Sequence, residues 1–184
     1  MGAIKKANWE KKQEATKQAK QQRHTQWTKV RNQYEKMKKD KTLPGREETF
    51  TYKGSPVKTG KDLRTAVINT LWFKQANPNR PVTEHPKTFL NSPQDGKKIF
   101  PSMQGTGHEF PSDRKPGGFQ GKGNVGAMRV VTQPTKDGGT KYMGVISHDP
   151  TLKQSKDDPQ RNFHHLVLPG PPLPKKPKKQ GKGK

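Results

Sequence analysis

From residue 3 to about residue 41 the chain contains neither proline nor glycine, and Ala15, Ala19, Trp27, Val30, Tyr34 and Met37 recur at helical steps. That spacing lines them up on one helical face. It predicts one long helix or two shorter ones, ended before Pro44-Gly45, where proline cannot continue the hydrogen-bond ladder. Two readings of this stretch stand side by side. One is a solvated basic helix; the other is a helix whose Trp and Tyr stripe docks on something.

The texture changes at Glu48. Thr49-Phe-Thr-Tyr52 reads as a short β-type run ended by Gly54-Ser-Pro56. Thr59-Gly-Lys-Asp62 then offers an N-cap, and Leu63, Ala66, Val67 and Leu71 step along one face of a helix that ends by Asn77-Pro78. Turns and short strands follow. Met128–Val131 and Lys141–Ser147 are the strongest strands, joined across Pro134 to Gly139, where Asp137-Gly138-Gly139 favours a tight reversal. The expected class is therefore α+β: a single helix packed on a small antiparallel sheet, with an added N-terminal helical segment. The expected organisation is a basic helical extension over 1–47, a folded domain over 48–170 and a disordered Lys/Pro-rich tail over 171–184. From Pro169 onward the residues offer no means of packing.

Composition changes this picture chiefly through charge. The 184 residues hold 38 Lys and Arg against 15 Asp and Glu, a formal charge of +23. Such self-repulsion points to a polyanionic partner, with nucleic acid first, an anionic membrane surface second and a ribosome-associated role third. Only 25% of residues are hydrophobic, so part of the chain is expected to stay outside any core. The absence of cysteine excludes a disulfide framework and a thiolate metal site. Met1-Gly-Ala-Ile-Lys-Lys has no apolar run behind its charges, no stretch reaches the length of a membrane span, and no Ser or Thr stands at the myristoylation position after Gly2.

A sheet bearing His85, Glu109, Arg129 and His148 suggests a site on its face. Cleaving RNA without a metal needs a base for the 2′-OH proton, a cation for the phosphorane charge and an acid for the leaving 5′ oxygen. A carboxylate, a guanidinium and an imidazole supply these, and the planar fork of Arg matches two phosphate oxygens. His108, His164 and His165 invite a metal reading, but without Cys or a carboxylate at ligand spacing it is not favoured. Gly121-Lys-Gly-Asn-Val-Gly126 fits the dinucleotide pattern in letters only, since it follows a loop and precedes a strand. Neither metal nor cofactor is expected.

From Phe50 to Phe163 the chain resembles the fungal guanyl-specific ribonucleases of the T1/N1 kind and the related ribotoxins. Lys61–Ile68 is similar to that family's single helix, and His85 in Thr83-Glu-His-Pro-Lys-Thr-Phe-Leu-Asn91 to its first histidine. Glu109-Phe-Pro111 resembles the motif carrying the general base, Arg129-Val-Val131 the phosphate-binding Arg, and Gly144-Val-Ile-Ser-His148 the segment bearing the general acid. Asn162-Phe163 resembles the closing segment near the base pocket. The resemblance implies Glu109 as base with His85 adjusting its charge and orientation, Arg129 as phosphorane ligand and His148 as acid. It implies guanine recognition by Phe89 stacking, backbone groups around Asn91, Asp95 accepting from the base edge, and Asn162 and Phe163 nearby.

The departures are specific. Thr83 stands where the family has Tyr, and the family's disulfides are absent. A second Phe-Pro, in Ile99-Phe-Pro101, competes with Glu109-Phe-Pro111 for the base motif and would put Ile at the base position. Two functions follow: a metal-independent endoribonuclease cutting single-stranded RNA after guanine, or a catalytically inactive RNA- or ribosome-binding protein on the same scaffold. RNA is the expected partner of either. An acidic inhibitor is expected if the chain is a toxin domain working inside cells.

Overall fold

Thr59 stands where the sequence places a helix start. Its backbone N–H and hydroxyl both donate to the Asp62 carboxylate at 2.8 Å, and the Asp62 N–H returns a bond to the Thr59 hydroxyl at 3.3 Å. This reciprocal cap satisfies donors the helix would otherwise leave open. The computed structural model describes residues 2–52, 57–76, 85–91, 97–112, 126–148 and 164–172. Within them the capped helix is α2 (Gly60–Ala76), and the N-terminal segment is one helix, α1 (Gly2–Lys39). Lys41 adopts a positive φ of 54°, and the Thr42 N–H reaches back to the Met37 carbonyl at 3.1 Å. That pattern closes α1 without a glycine.

Five strands form an antiparallel sheet in simple sequence order: β3 (Lys87–Phe89), β4 (Gly107–Pro111), β5 (Met128–Pro134), β6 (Thr140–His148) and β7 (His164–Val167). The expected β5–β6 hairpin is present, turning through Gly138 at φ 77°, with Thr135 N–H donating to Gly139 O at 3.1 Å. Both helices lie on one face. Leu63, Ala66, Val67 and Leu71 of α2 are at most 1% exposed and pack with Phe110, Val130 and Val145 of the sheet. The expected α2 stripe is thus the core stripe.

Helix α1 is divided along its length. Val30 and Met37 enter the same core, and Trp27 stacks on Trp72 of α2 with ring centroids 4.5 Å apart. Ala15 and Ala19, on the same predicted stripe, are exposed. In packing terms the folded body therefore begins near Trp27, well before residue 48.

The rest departs from a single sheet. Three short strands, β1 (Thr49–Phe50), β2 (Lys58–Thr59) and β8 (Pro169–Gly170), form a second antiparallel sheet in the order β2-β1-β8. Pro169 and Gly170 were expected to open an unpacked tail; instead they pair with Phe50 and Thr49, and the Thr49 hydroxyl donates to Pro171 O at 2.7 Å. Proline is tolerated because β8 is an edge strand. Residues 173–184 of the expected tail lie outside the described residues.

One irregularity shapes the opposite face of the main sheet. The β5–β6 register shifts between Val131, which faces Gly144, and Thr132, which faces Tyr142. Gly144 has φ 153°, and a Cβ there would sit 2.8 Å from the Phe100 ring. Glycine at this position lets Phe100 close a small second core with Phe89, Met103, Val131 and Ile146.

Candidate active site

Strand alternation sorts β4 and β5 between the two faces. Phe110 points toward α2, its ring 5.5 Å from that of Phe73, and Val130 joins the helix-side core. Glu109 and Arg129, each one residue away, therefore emerge on the face without helices, where Val131 and Ile146 belong to the second core. The register brings them together: Glu109 is paired with Val131 and Pro111 with Arg129, so Glu109 and Arg129 are diagonal cross-strand neighbours. Both are nearly enclosed, at 7% and 6% exposure.

A buried guanidinium must be matched by acceptors. Arg129 Nη1 donates to Gly126 O at 2.6 Å and to Met128 O at 3.0 Å, which fixes the fork at the start of β5. Burial pulls its pKa down, and the neighbouring Glu109 opposes that shift. His85 completes the group. It is hydrogen-bonded to the backbone of Glu109, and its ring meets Phe110 edge-on at 6.1 Å. Burial first, and the Arg129 charge second, push its pKa down to about 4, against an upward pull from Glu109. Near neutral pH His85 is therefore an uncharged imidazole.

His148 ends β6 two residues beyond Ile146, on the same face. Ile146 pairs with Arg129, and the His148 N–H donates to Ala127 O at 3.1 Å, so His148 is the diagonal neighbour of Arg129 on the other side from Glu109. Its side chain is half-buried. Across three strands the order is thus Glu109, Arg129, His148, with His85 beside Glu109.

The two Phe-Pro motifs part company here. Glu109-Phe-Pro111 is a ladder strand between β3 and β5, whereas Ile99-Phe-Pro101 lies in a turn whose Phe100 plugs the second core. Only Glu109 stands next to Arg129.

The expected base pocket fares differently. Phe89 is 4% exposed, its ring edge-on to Phe100 at 5.9 Å, so it is a packing residue and not an open stacking platform. The Asn91 amide group holds Phe100 in two bonds, donating to its carbonyl at 2.8 Å and accepting from its N–H at 3.0 Å. Its side chain closes the loop and leaves only backbone groups for a ligand. Thr83, Asp95, Asn162 and Phe163 lie outside the described residues.

One neighbour was missed by sequence reasoning. Lys87 pairs directly with Glu109, is exposed, and acts electrostatically on His85. The alternation of Lys87 and Phe89 was the available signal, since side chains two apart in a strand share a face. On the other face, His108 is also held down to about 4, by burial first and Lys74 second.

Among the described residues no group of three or more His, Cys, Asp or Glu is arranged to hold a metal ion. No described helix is long and apolar enough to cross a membrane. Compared with known proteins, the chain matches no family model, no curated protein and no solved structure. Geometry alone therefore characterises the site: a carboxylate, a fixed cation and an imidazole in a row, with the cation in the middle.

Proposed function

We propose that the chain is a metal-independent endoribonuclease, similar in its site to the T1/N1 guanyl ribonucleases. The observation that carries this reading is the row Glu109–Arg129–His148 across β4, β5 and β6, with His85 bonded to the Glu109 backbone. In this reading Glu109 takes the proton from the ribose 2′-OH, and the 2′ oxygen attacks phosphorus. Arg129 holds the charge that gathers on the phosphorane oxygens. His148, in its protonated form, gives a proton to the departing 5′ oxygen as the P–O5′ bond breaks. The products are a 2′,3′-cyclic phosphate and a free 5′-OH. Neutral His85 orients the strand that carries the base. Guanine preference remains part of the proposal through the backbone around Asn91, because Phe89 is enclosed.

RNA incubated with the protein in EDTA should yield 2′,3′-cyclic ends, enriched after G. Glu109→Gln and His148→Gln should each abolish cleavage while RNA binding persists. Cleavage retained in both variants would remove the site assignment, and cleavage lost with chelator would point to a metal nuclease instead.

A specific observation also favours the second reading, an inactive RNA- or ribosome-binding protein. Arg129 is 6% exposed and already bonded to two carbonyls, an arrangement that serves the fold as well as a phosphate. No cleavage under any condition, with salt-sensitive RNA binding intact, is the outcome it requires.

A further inference from the structure

The face of α1 that packs on the body does not end where the body ends. At about 100° per residue, Trp27, Val30 and Tyr34 define a narrow arc, and the same arc carries Trp9, Lys12 and Arg23 upstream, with Lys20 at its edge. Residues 6–25 are exposed throughout, and Trp9 is 61% exposed. Glu10 and Glu14, the acids of this stretch, fall outside the arc. The ion pairs of α1 among the described residues all involve Lys36 or Lys38, so the upstream cations are not neutralised by the described fold.

We infer that this upstream half of α1 is a binding arm for single-stranded RNA, separate from the sheet-face site. Its cations track phosphates, and Trp9 supplies a flat surface for a base, the pairing of charge with stacking that sequence-tolerant single-strand binding uses. From Trp9 to Arg23 the arm runs about 21 Å, enough for several nucleotides. A membrane surface fits less well, because an interfacial helix needs a continuous apolar face and this arc offers one large apolar side chain. The proposal rests on reading the chain as an RNA-handling protein, but not on its cutting RNA.

The probe is 2′-O-methyl RNA, which lacks the 2′ nucleophile and reports binding whether or not the site cleaves. Substituting Lys12, Lys20 and Arg23 together by Gln should make the log K against log salt slope for a 20-nucleotide strand shallower by about 2. Trp9→Ala should lower affinity about tenfold. Binding of a trinucleotide should be unchanged in both variants. All four positions are exposed, and an unaltered thermal melt would confirm intact folding. An unchanged slope and affinity for the long strand would overturn the proposal. So would equal losses of binding to polyglutamate, which has charge without bases, or arm-dependent capture of phosphatidylglycerol vesicles without RNA binding. Arm-dependent binding in a wild-type protein that cleaves nothing would sink only the ribonuclease reading.

Discussion

The two faces of the main sheet are built from alternate residues of the same strands, yet they do different work. The helix side holds Phe110, Val130 and Val145 under α1 and α2, and forms one continuous apolar core. The other side interrupts its smaller core with Glu109 and Arg129, two buried charged groups one residue removed from the best-packed positions in the protein. Burying such a pair is a poor route to stability, because desolvation offsets most of the attraction. The contrast teaches that the helix side carries the fold and lets the other side tolerate a costly, chemically capable arrangement.

Three experiments would break or sharpen that contrast. The largest effect should come from Phe110→Ala, which empties the junction of sheet and α2 and should cost about 4 kcal/mol in urea denaturation. The matching Phe100→Ala on the other side should cost less, because its cluster is smaller. Equal losses would show that the faces share the load. Next, Glu109→Leu should destabilise by about 3 kcal/mol because it leaves the Arg129 charge buried, and adding Arg129→Met should restore most of that loss. A double-mutant cycle with no coupling would show that the two charges do not depend on each other.

The smallest effect separates the faces by pH. His85 on one side and His108 on the other are both held down to about 4, below the ordinary value of 6.5. The unfolded chain therefore takes up protons before the native one as pH falls. Both groups contribute stability that is complete above about 6.5 and is lost on descending toward 4. His108→Gln should flatten the fall of the melting temperature over that window and leave the proposed RNA cleavage alone. His85→Gln should flatten it too, while changing the proposed cleavage.

How much of this could be read in advance depends on whether the signal was local. Helix α2 was legible because Thr59 and Asp62 cap it and residues 63, 66, 67 and 71 keep its period. The β5–β6 hairpin was legible through Asp137-Gly138-Gly139. The second sheet was not, because strands of two residues have no period and Pro169 argues against pairing. In the candidate site, Arg129 and His148 were named only through the resemblance, and the β5–β6 register sets them side by side. The rivalry between Glu109 and Ile99 was not legible, since it turned on which Phe-Pro stood in the ladder. Phe89 reads equally as platform or plug until Phe100, eleven residues on, is seen against it.

The pairing of β1 with β8 sets an order of events for the folding chain. The five-stranded sheet runs strictly in sequence, so each of its ladders closes a comparatively short loop. The bond from Thr49 to Pro171 joins residues 122 positions apart, and closing so long a loop has a larger entropic cost with few contacts to repay it. The meander and its helices therefore assemble first and the clasp forms last. Among the ladders of the two sheets the same clasp should open first in the native ensemble, its amides exchanging ahead of those in the five-stranded sheet.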